Sequence, residues 1–239
     1  MKNWKLIFCV LATAVIAGAA RAADTASIAG KIAFEGDAPK AKKIKTDADP
    51  KCAELHADDP LKDETVLVND NGTLRNVFVY VKGGLEGKTF EKPGTPVEID
   101  QVGCSYHPHV FGMMAKQVLL IKNGDDTLHN IHAMPTSPNN KEFNLGQPNK
   151  GMEAKKTFAE PEIMVKFKCD VHPWMSAYVG VLNHPFFATT GEDGSFALKN
   201  LPAGEYEIAT WHEKYGEQTQ KVKVGDGEAK TLDFKVKAE

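Results

Sequence analysis

Cys169-Asp170-Val171-His172-Pro173-Trp174-Met175 is the stretch on which the reading of this chain turns. It sets a thiol, an imidazole and a thioether within seven residues, directly after an alternating apolar run, Ile163, Val165 and Phe167. Alternation of that kind marks a half-buried strand, so the three donor side chains fall on a short loop leaving a strand end. A thiolate, an imidazole and a weakly held Met, completed by a second His from elsewhere, form a donor set that suits copper in both of its oxidation states. Zinc is the rival for one Cys and two His, but a thioether is a poor zinc ligand.

The missing donor is sought on a neighbouring strand, and Leu128-His129-Asn130-Ile131-His132 offers it. It follows Val118 to Lys122, a buried-strand pattern that ends in the turn residues Asn123-Gly124-Asp125-Asp126. His-Asn-Ile-His paired with Cys-x-x-His-x-x-Met resembles the blue copper proteins, or cupredoxins, and the short loop is most similar to the amicyanin and plastocyanin branch. The resemblance covers about 90 residues, from near Pro93 to Asn183. It implies a cupredoxin Greek-key β-sandwich with one type 1 copper site, held strongly by His129, Cys169 and His172 and weakly by Met175. It implies that Asn130 braces the ligand loop by hydrogen bonds. It also implies that His172, flanked by Pro173 and Trp174, shows an edge at an apolar surface where a redox partner docks. Trp174 belongs either to that surface or to the packing beneath it. His132 is expected to face the same way as His129, as a supporting residue or as the ligand in its place.

Residues 1–22 carry Lys2 and Lys5, an apolar run from Leu6 to Ala20, and a small-x-small ending, Ala20-Arg21-Ala22, the pattern of a secretory signal peptide. The apolar run is short for a membrane span and none longer follows, so no membrane insertion is expected after cleavage and the periplasm or the exterior is the expected location. Cys9 lacks the small residue that precedes a lipoprotein cysteine. Cleavage leaves 26 basic against 32 acidic residues, a formal charge of −6. That balance excludes nucleic acid as a partner and favours a basic docking surface on a redox partner such as a dehydrogenase or cytochrome. Three cysteines remain, and in an oxidising compartment ligation of Cys169 leaves Cys52 and Cys104 to pair as a disulfide. A second metal site in Cys104-Ser-Tyr-His107-Pro-His109 is the competing use of Cys104, but Pro108 and the opposed faces of its donors disfavour it.

Period-two runs separated by turn residues recur along the rest of the chain, among them Ile28, Ile32 and Phe34; Val77, Val79 and Val81; and Leu232, Phe234 and Val236. A short turn near Ala53 to His56 is the exception, so the class is all-β. Thr189-Thr190-Gly191-Glu192-Asp193-Gly194-Ser195-Phe196, followed by the corner Leu201-Pro202-Ala203-Gly204-Glu205-Tyr206, resembles the latter half of the transthyretin-like, or carboxypeptidase regulatory-like, sandwich. Gly30-Lys31-Ile32-Ala33-Phe34-Glu35-Gly36 is similar to its opening. The expected arrangement is a second, transthyretin-like β-sandwich from residues 23–92 and 184–239, interrupted by the cupredoxin domain at 93–183; a simple three-part array is the alternative.

Enzyme chemistry is not expected. A trinuclear copper centre needs several His-x-His pairs, and the chain offers only His107-Pro108-His109. A dinuclear electron-transfer centre needs two loop cysteines, and no Gly-x-Ser-x-Gly or His-Glu-x-x-His occurs. Two roles remain: a one-electron carrier between redox proteins, or a secreted copper-handling or protein- or carbohydrate-binding protein. Met113, Met114 and Met134 read as core fillers, and Trp211-His212-Glu213 as a structural or docking segment.

Overall fold

The computed structural model describes residues 25–238, and the expected signal peptide lies outside them. In chain order the elements begin with β1 (Ala26–Glu35), α1 (Pro50–Leu55) and β2 (Phe78–Gly83). There follow β3 (Val97–Val102), β4 (Ser105–His107), β5 (Val110–Met114), β6 (Leu119–Asn123), β7 (His129–Met134), β8 (Phe143–Gln147), β9 (Glu153–Lys156), β10 (Glu162–Lys168) and β11 (Ser176–Leu182). The chain ends with β12 (Phe187–Thr189), β13 (Ser195–Leu201), β14 (Gly204–His212), β15 (Gly216–Val224), β16 (Ala229–Thr231) and β17 (Phe234–Lys237). The protein is all-β apart from the single turn of α1 among the described residues.

The strands make two sandwiches. One packs the sheet β5-β11-β10-β7-β8 on β4-β3-β6-β9, around a core that includes Ile99, Ile121, Ile131, Phe158, Phe167 and Val179. The other packs the sheet in which β1 pairs with β13, β16 and β17 on the sheet β12-β2-β14-β15, around Ile28, Ile32, Leu74, Phe196, Ile208 and Phe234. Strands β1 and β2 therefore share sheets with strands more than a hundred residues downstream: Phe34 pairs with Val236 and Tyr80 with Ala209. The corner read from Leu201 to Tyr206 is closed by the Tyr206 hydroxyl, which donates to Pro202 O at 2.6 Å.

A third cluster joins the sandwiches. Phe78 and Tyr80 on β2 pack with Val110, Leu182 and Ala209. The register places Gly112 of β5 opposite Gly180 of β11. A Cβ at Gly112 would lie 2.4 Å from the Phe187 ring and 2.7 Å from that of Phe78, and a Cβ at Gly180 would lie 2.5 Å from Phe78. The two glycines thus form a slot that admits the Phe78 ring, which is fully buried and stacks on Phe187. Trp211 packs against Tyr178, and Glu213 accepts a 2.7 Å hydrogen bond from His109 Nε2. The Trp211-His212-Glu213 segment is accordingly structural, holding one sandwich to the other.

One local expectation is corrected. Ile163 does not continue the buried face of Val165 and Phe167; a register shift lies between Glu162 and Val165, with Met164 at φ 62°. An inserted residue turns the following side chains over, and Ile163 is 38% exposed.

Candidate metal centre

Strand β10 delivers Cys169 from its end and strand β7 opens with His129. The two strands pair antiparallel, with Lys168 opposite His132, so both donors emerge at one end of the sandwich. The chain then turns back tightly: Met175 N donates to His172 O at 2.9 Å and Cys169 N donates to Met175 O at 3.2 Å. This places His172 and Met175 on the same side as Cys169.

Donor atoms of His129, Cys169 and His172 all lie within 4.8 Å of one another. The Nδ1 atoms of the two imidazoles face each other across 2.9 Å, and His172 Nδ1 is 3.8 Å from Cys169 Sγ. Exposure is 0% for His129, 1% for His172, and 2% for both Cys169 and Met175. Each imidazole is turned inward because its other nitrogen is held from outside by a carboxylate. His129 Nε2 donates to Asp125 Oδ2 at 2.9 Å, and His172 Nε2 donates to Asp49 Oδ2 at 3.0 Å. A carboxylate on the far nitrogen fixes both the orientation and the basicity of a ligating imidazole.

Asn130 ties the ligand loop to β7. Its Oδ1 accepts from Asp170 N at 2.7 Å and Val171 N at 3.3 Å, and lies 3.2 Å from Cys169 Sγ. Burial on its own would push the Cys169 thiol up, but hydrogen bonds from the His129 and His172 rings outweigh it and hold the thiol at about 6. Burial likewise opposes a charged His129, yet its bonds to Asp125 and Cys169 raise it to about 9. At neutral pH the pocket therefore holds a thiolate, the form that binds soft metals.

His132 does not face the pocket. It lies three positions from His129, and an odd step along a strand reverses the face. Its ring bonds Asp170 at 3.1 Å and Glu142 at 2.6 Å on the outer side of the loop. Nor does the Cys104-to-His109 stretch gather a metal site. Cys104 is disulfide-bonded to Cys52, and His109 is taken by Glu213 and by Ser176 O.

The expected surface edge of His172 is also corrected. Its outer nitrogen is covered by the segment carrying α1, with Asp49 in contact and Cys52 Sγ 3.7 Å away. Trp174 is packing support: its ring lies 5.0 Å from that of His172 and its Nε1 donates to Cys104 O. A cavity of about 220 Å³ instead reaches the Met175 side, between Tyr106, His109 and Trp174. Asp49 and Asp125 are the functional residues that sequence reasoning passed over. Asp49-Pro50 reads locally as a helix start and Asp125 as a turn residue, and neither pattern points to an imidazole.

The sequence model of the carboxypeptidase regulatory-like domain matches residues 172–237. No characterised protein sequence matches the chain. Among solved structures the chain is similar to a copper-containing nitrite reductase from Thermus scotoductus SA-01, at 21% identity and TM-score 0.34, over 41% of this chain and 24% of that one. It is similar to a purple cupredoxin from Nitrosopumilus maritimus, at 24% identity and TM-score 0.30, over 35% of this chain and 97% of that one. It is also similar to an amicyanin variant in its Cu(I) form, at 20% identity and TM-score 0.32, over 38% and 86%.

Proposed function

We propose that the protein is a periplasmic or secreted type 1 copper protein that carries single electrons between redox partners. The observation that supports this is the convergence of one buried cysteine sulfur and two inward-facing Nδ1 atoms, all on residues no more than 2% exposed. That donor set fits copper: a soft sulfur, two imidazoles and a thioether on the same loop. His129, Cys169 and His172 would hold the ion, with Met175 as the weak fourth donor. Copper, when bound, supplies a one-electron couple.

The chain's own contribution is rigidity. Three donors are held before metal arrives: His129 by Asp125, His172 by Asp49, and the Cys169 loop by the two amide bonds to Asn130 Oδ1. Fixed donors resist the change of geometry that would slow electron transfer. Complete burial of the donors favours retention of the metal over a cargo role. The electron donor and acceptor would be proteins with basic docking surfaces, such as a dehydrogenase or cytochrome, and no catalytic reaction is assigned to this chain.

The test is the visible and electron paramagnetic resonance spectrum of the cupric-loaded protein beside its Cys169→Ser variant. An intense thiolate-to-copper band that vanishes in the variant is expected. A colourless wild-type protein with Cys-independent copper binding would overturn the proposal.

A further inference from the structure

We propose that residues 43–62 form a fixed cap over the outer edge of His172, with Asp49 as the positioning residue for that imidazole and the Cys52–Cys104 disulfide as the tether.

The segment is closed at its neck. Ile44 N donates to Leu61 O at 2.8 Å, Asp63 N donates to Lys42 O at 2.9 Å, and Lys43 bridges Lys62. Within the loop Asp49 works twice. Its Oδ1 caps α1 by accepting from Lys51 N at 2.8 Å and Cys52 N at 3.2 Å, the usual role of an Asp before a helix with Pro in its first turn. Its Oδ2 is left for Thr127 Oγ1 at 3.0 Å and His172 Nε2 at 3.0 Å. One carboxylate thus joins the cap, the turn before β7 and the ligand loop.

The far end of the cap is anchored as well. His56 Nε2 donates to Gly103 O at 2.8 Å, and Cys52 is bonded to Cys104. Gly103 N and Cys104 N donate to Asp125, the carboxylate that holds His129. Asp49, α1, the disulfide and Asp125 therefore make one continuous frame behind both imidazoles. A group that must dissociate from the centre past His172 has to lift this frame, and both cysteines that tie it are fully buried. The cap confers slow metal exchange and holds His172 in place in both oxidation states, so a partner meets the centre through the cap or from the Met175 side.

The metal-bound part of the test rests on the copper reading; the metal-free part does not. In metal-free protein the His172 Nε2 proton, shielded by Asp49, is expected as a slowly exchanging resonance in imidazole ¹⁵N-correlated NMR, and is lost in Asp49→Ala. In copper-loaded protein, Asp49→Asn keeps the helix cap, since Asn caps as well as Asp, but removes the negative charge and puts an amide NH2 where Oδ2 accepts from His172 Nε2. The preference for cupric over cuprous ion is expected to fall about tenfold, a rise of about 59 mV in potential for a one-electron couple. Transfer of cuprous ion to an external chelator is expected to be at least about tenfold faster in the Cys52→Ser, Cys104→Ser double variant. A blue wild-type protein with a freely exchanging Nε2 proton, an unmoved potential in Asp49→Asn and unmoved release in the double variant would overturn the cap alone. A wild-type protein that takes up no copper would defeat the proposed function, and the metal-free resonance would still decide the cap.

Discussion

Replacing Asn130 by Ala tests how the ligand loop is held. The side chain is buried, and its Oδ1 accepts from two loop amides while its Nδ2 donates to Asn144 Oδ1 at 2.6 Å. Alanine removes the 2.7 Å partner of Asp170 N, and because Asp170 is itself exposed the loss is that of an ordinary hydrogen bond, about 0.5–1 kcal/mol. Val171 is 42% exposed, so water replaces its longer bond at little cost. Loss of the bond to Asn144 adds about 0.5–1 kcal/mol. The expected destabilisation is about 1–2 kcal/mol. Urea unfolding of the metal-free protein at pH 7, followed by tryptophan fluorescence, reads this directly. With an m-value of about 2 kcal/mol/M the midpoint falls by roughly 0.5–1 M. Asn130→Asp keeps an acceptor for the loop amides and is expected to retain the loop while its charge raises the Cys169 thiol. A midpoint shift in Asn130→Ala worth less than about 0.5 kcal/mol, the scale of an ordinary surface change, would refute the assignment of Asn130 as the loop's brace.

Two further outcomes follow from the fold. Gly112→Ala drives a methyl group into the Phe78 and Phe187 rings, and overpacking of this kind costs about 1–3 kcal/mol; a lowered thermal midpoint is expected, and an unchanged one would show that the two rings yield freely. His212 is buried and its Nδ1 accepts from Lys214 N and Tyr215 N. Burial holds it down to about 4 although Glu213 pulls the other way. A depressed His favours its neutral form in the folded protein, so its contribution is complete above the unfolded value of about 6.5 and is lost as pH falls toward 4, on the order of 3 kcal/mol. His212→Asn keeps an acceptor that does not titrate, and urea midpoints at pH 7 and pH 4.5 should fall less in the variant than in the wild type; equal falls would remove His212 from the acid sensitivity.

What could be read from the chain was what neighbouring residues decide. The all-β class came from period-two runs, the Cys169–Met175 turn from its own spacing, the Cys52–Cys104 bond from an odd count of cysteines, and the Tyr206 corner from Pro202 and Gly204 ahead of it. What escaped depends on residues remote in sequence or on a single inserted residue. Asp49 meets His172 across 123 positions, and nothing beside either residue encodes that meeting. The exposure of Ile163 turns on one bulge, which a period-two count cannot register. The facing of His132 is legible in the sequence, since a step of three along a strand reverses the side chain.

The braces of the centre come from separate parts of the chain, and this gives the second sandwich a physical part in the site. Asn130 holds the loop where it leaves β10, and the cap holds His172 from outside. The return of the loop is held at Ser176, whose carbonyl accepts from His109 Nδ1 at 2.9 Å while His109 Nε2 donates to Glu213 at 2.7 Å. Burial disfavours a charged His109, but the bond to Glu213 and the charge of that carboxylate raise it, and both ring nitrogens donate, so the imidazolium is the form that satisfies the geometry. Glu213 stands at the end of β14, in the sandwich built from β1, β2 and the C-terminal strands, and Ser176 immediately follows Met175. A contact that joins the two sandwiches therefore fixes the backbone beside Met175. With Phe78 seated in the slot at Gly112 and Gly180, on the strands that flank this contact, the second sandwich is a buttress to the ligand loop, which is a reason for the two to be packed together and not strung apart on a linker.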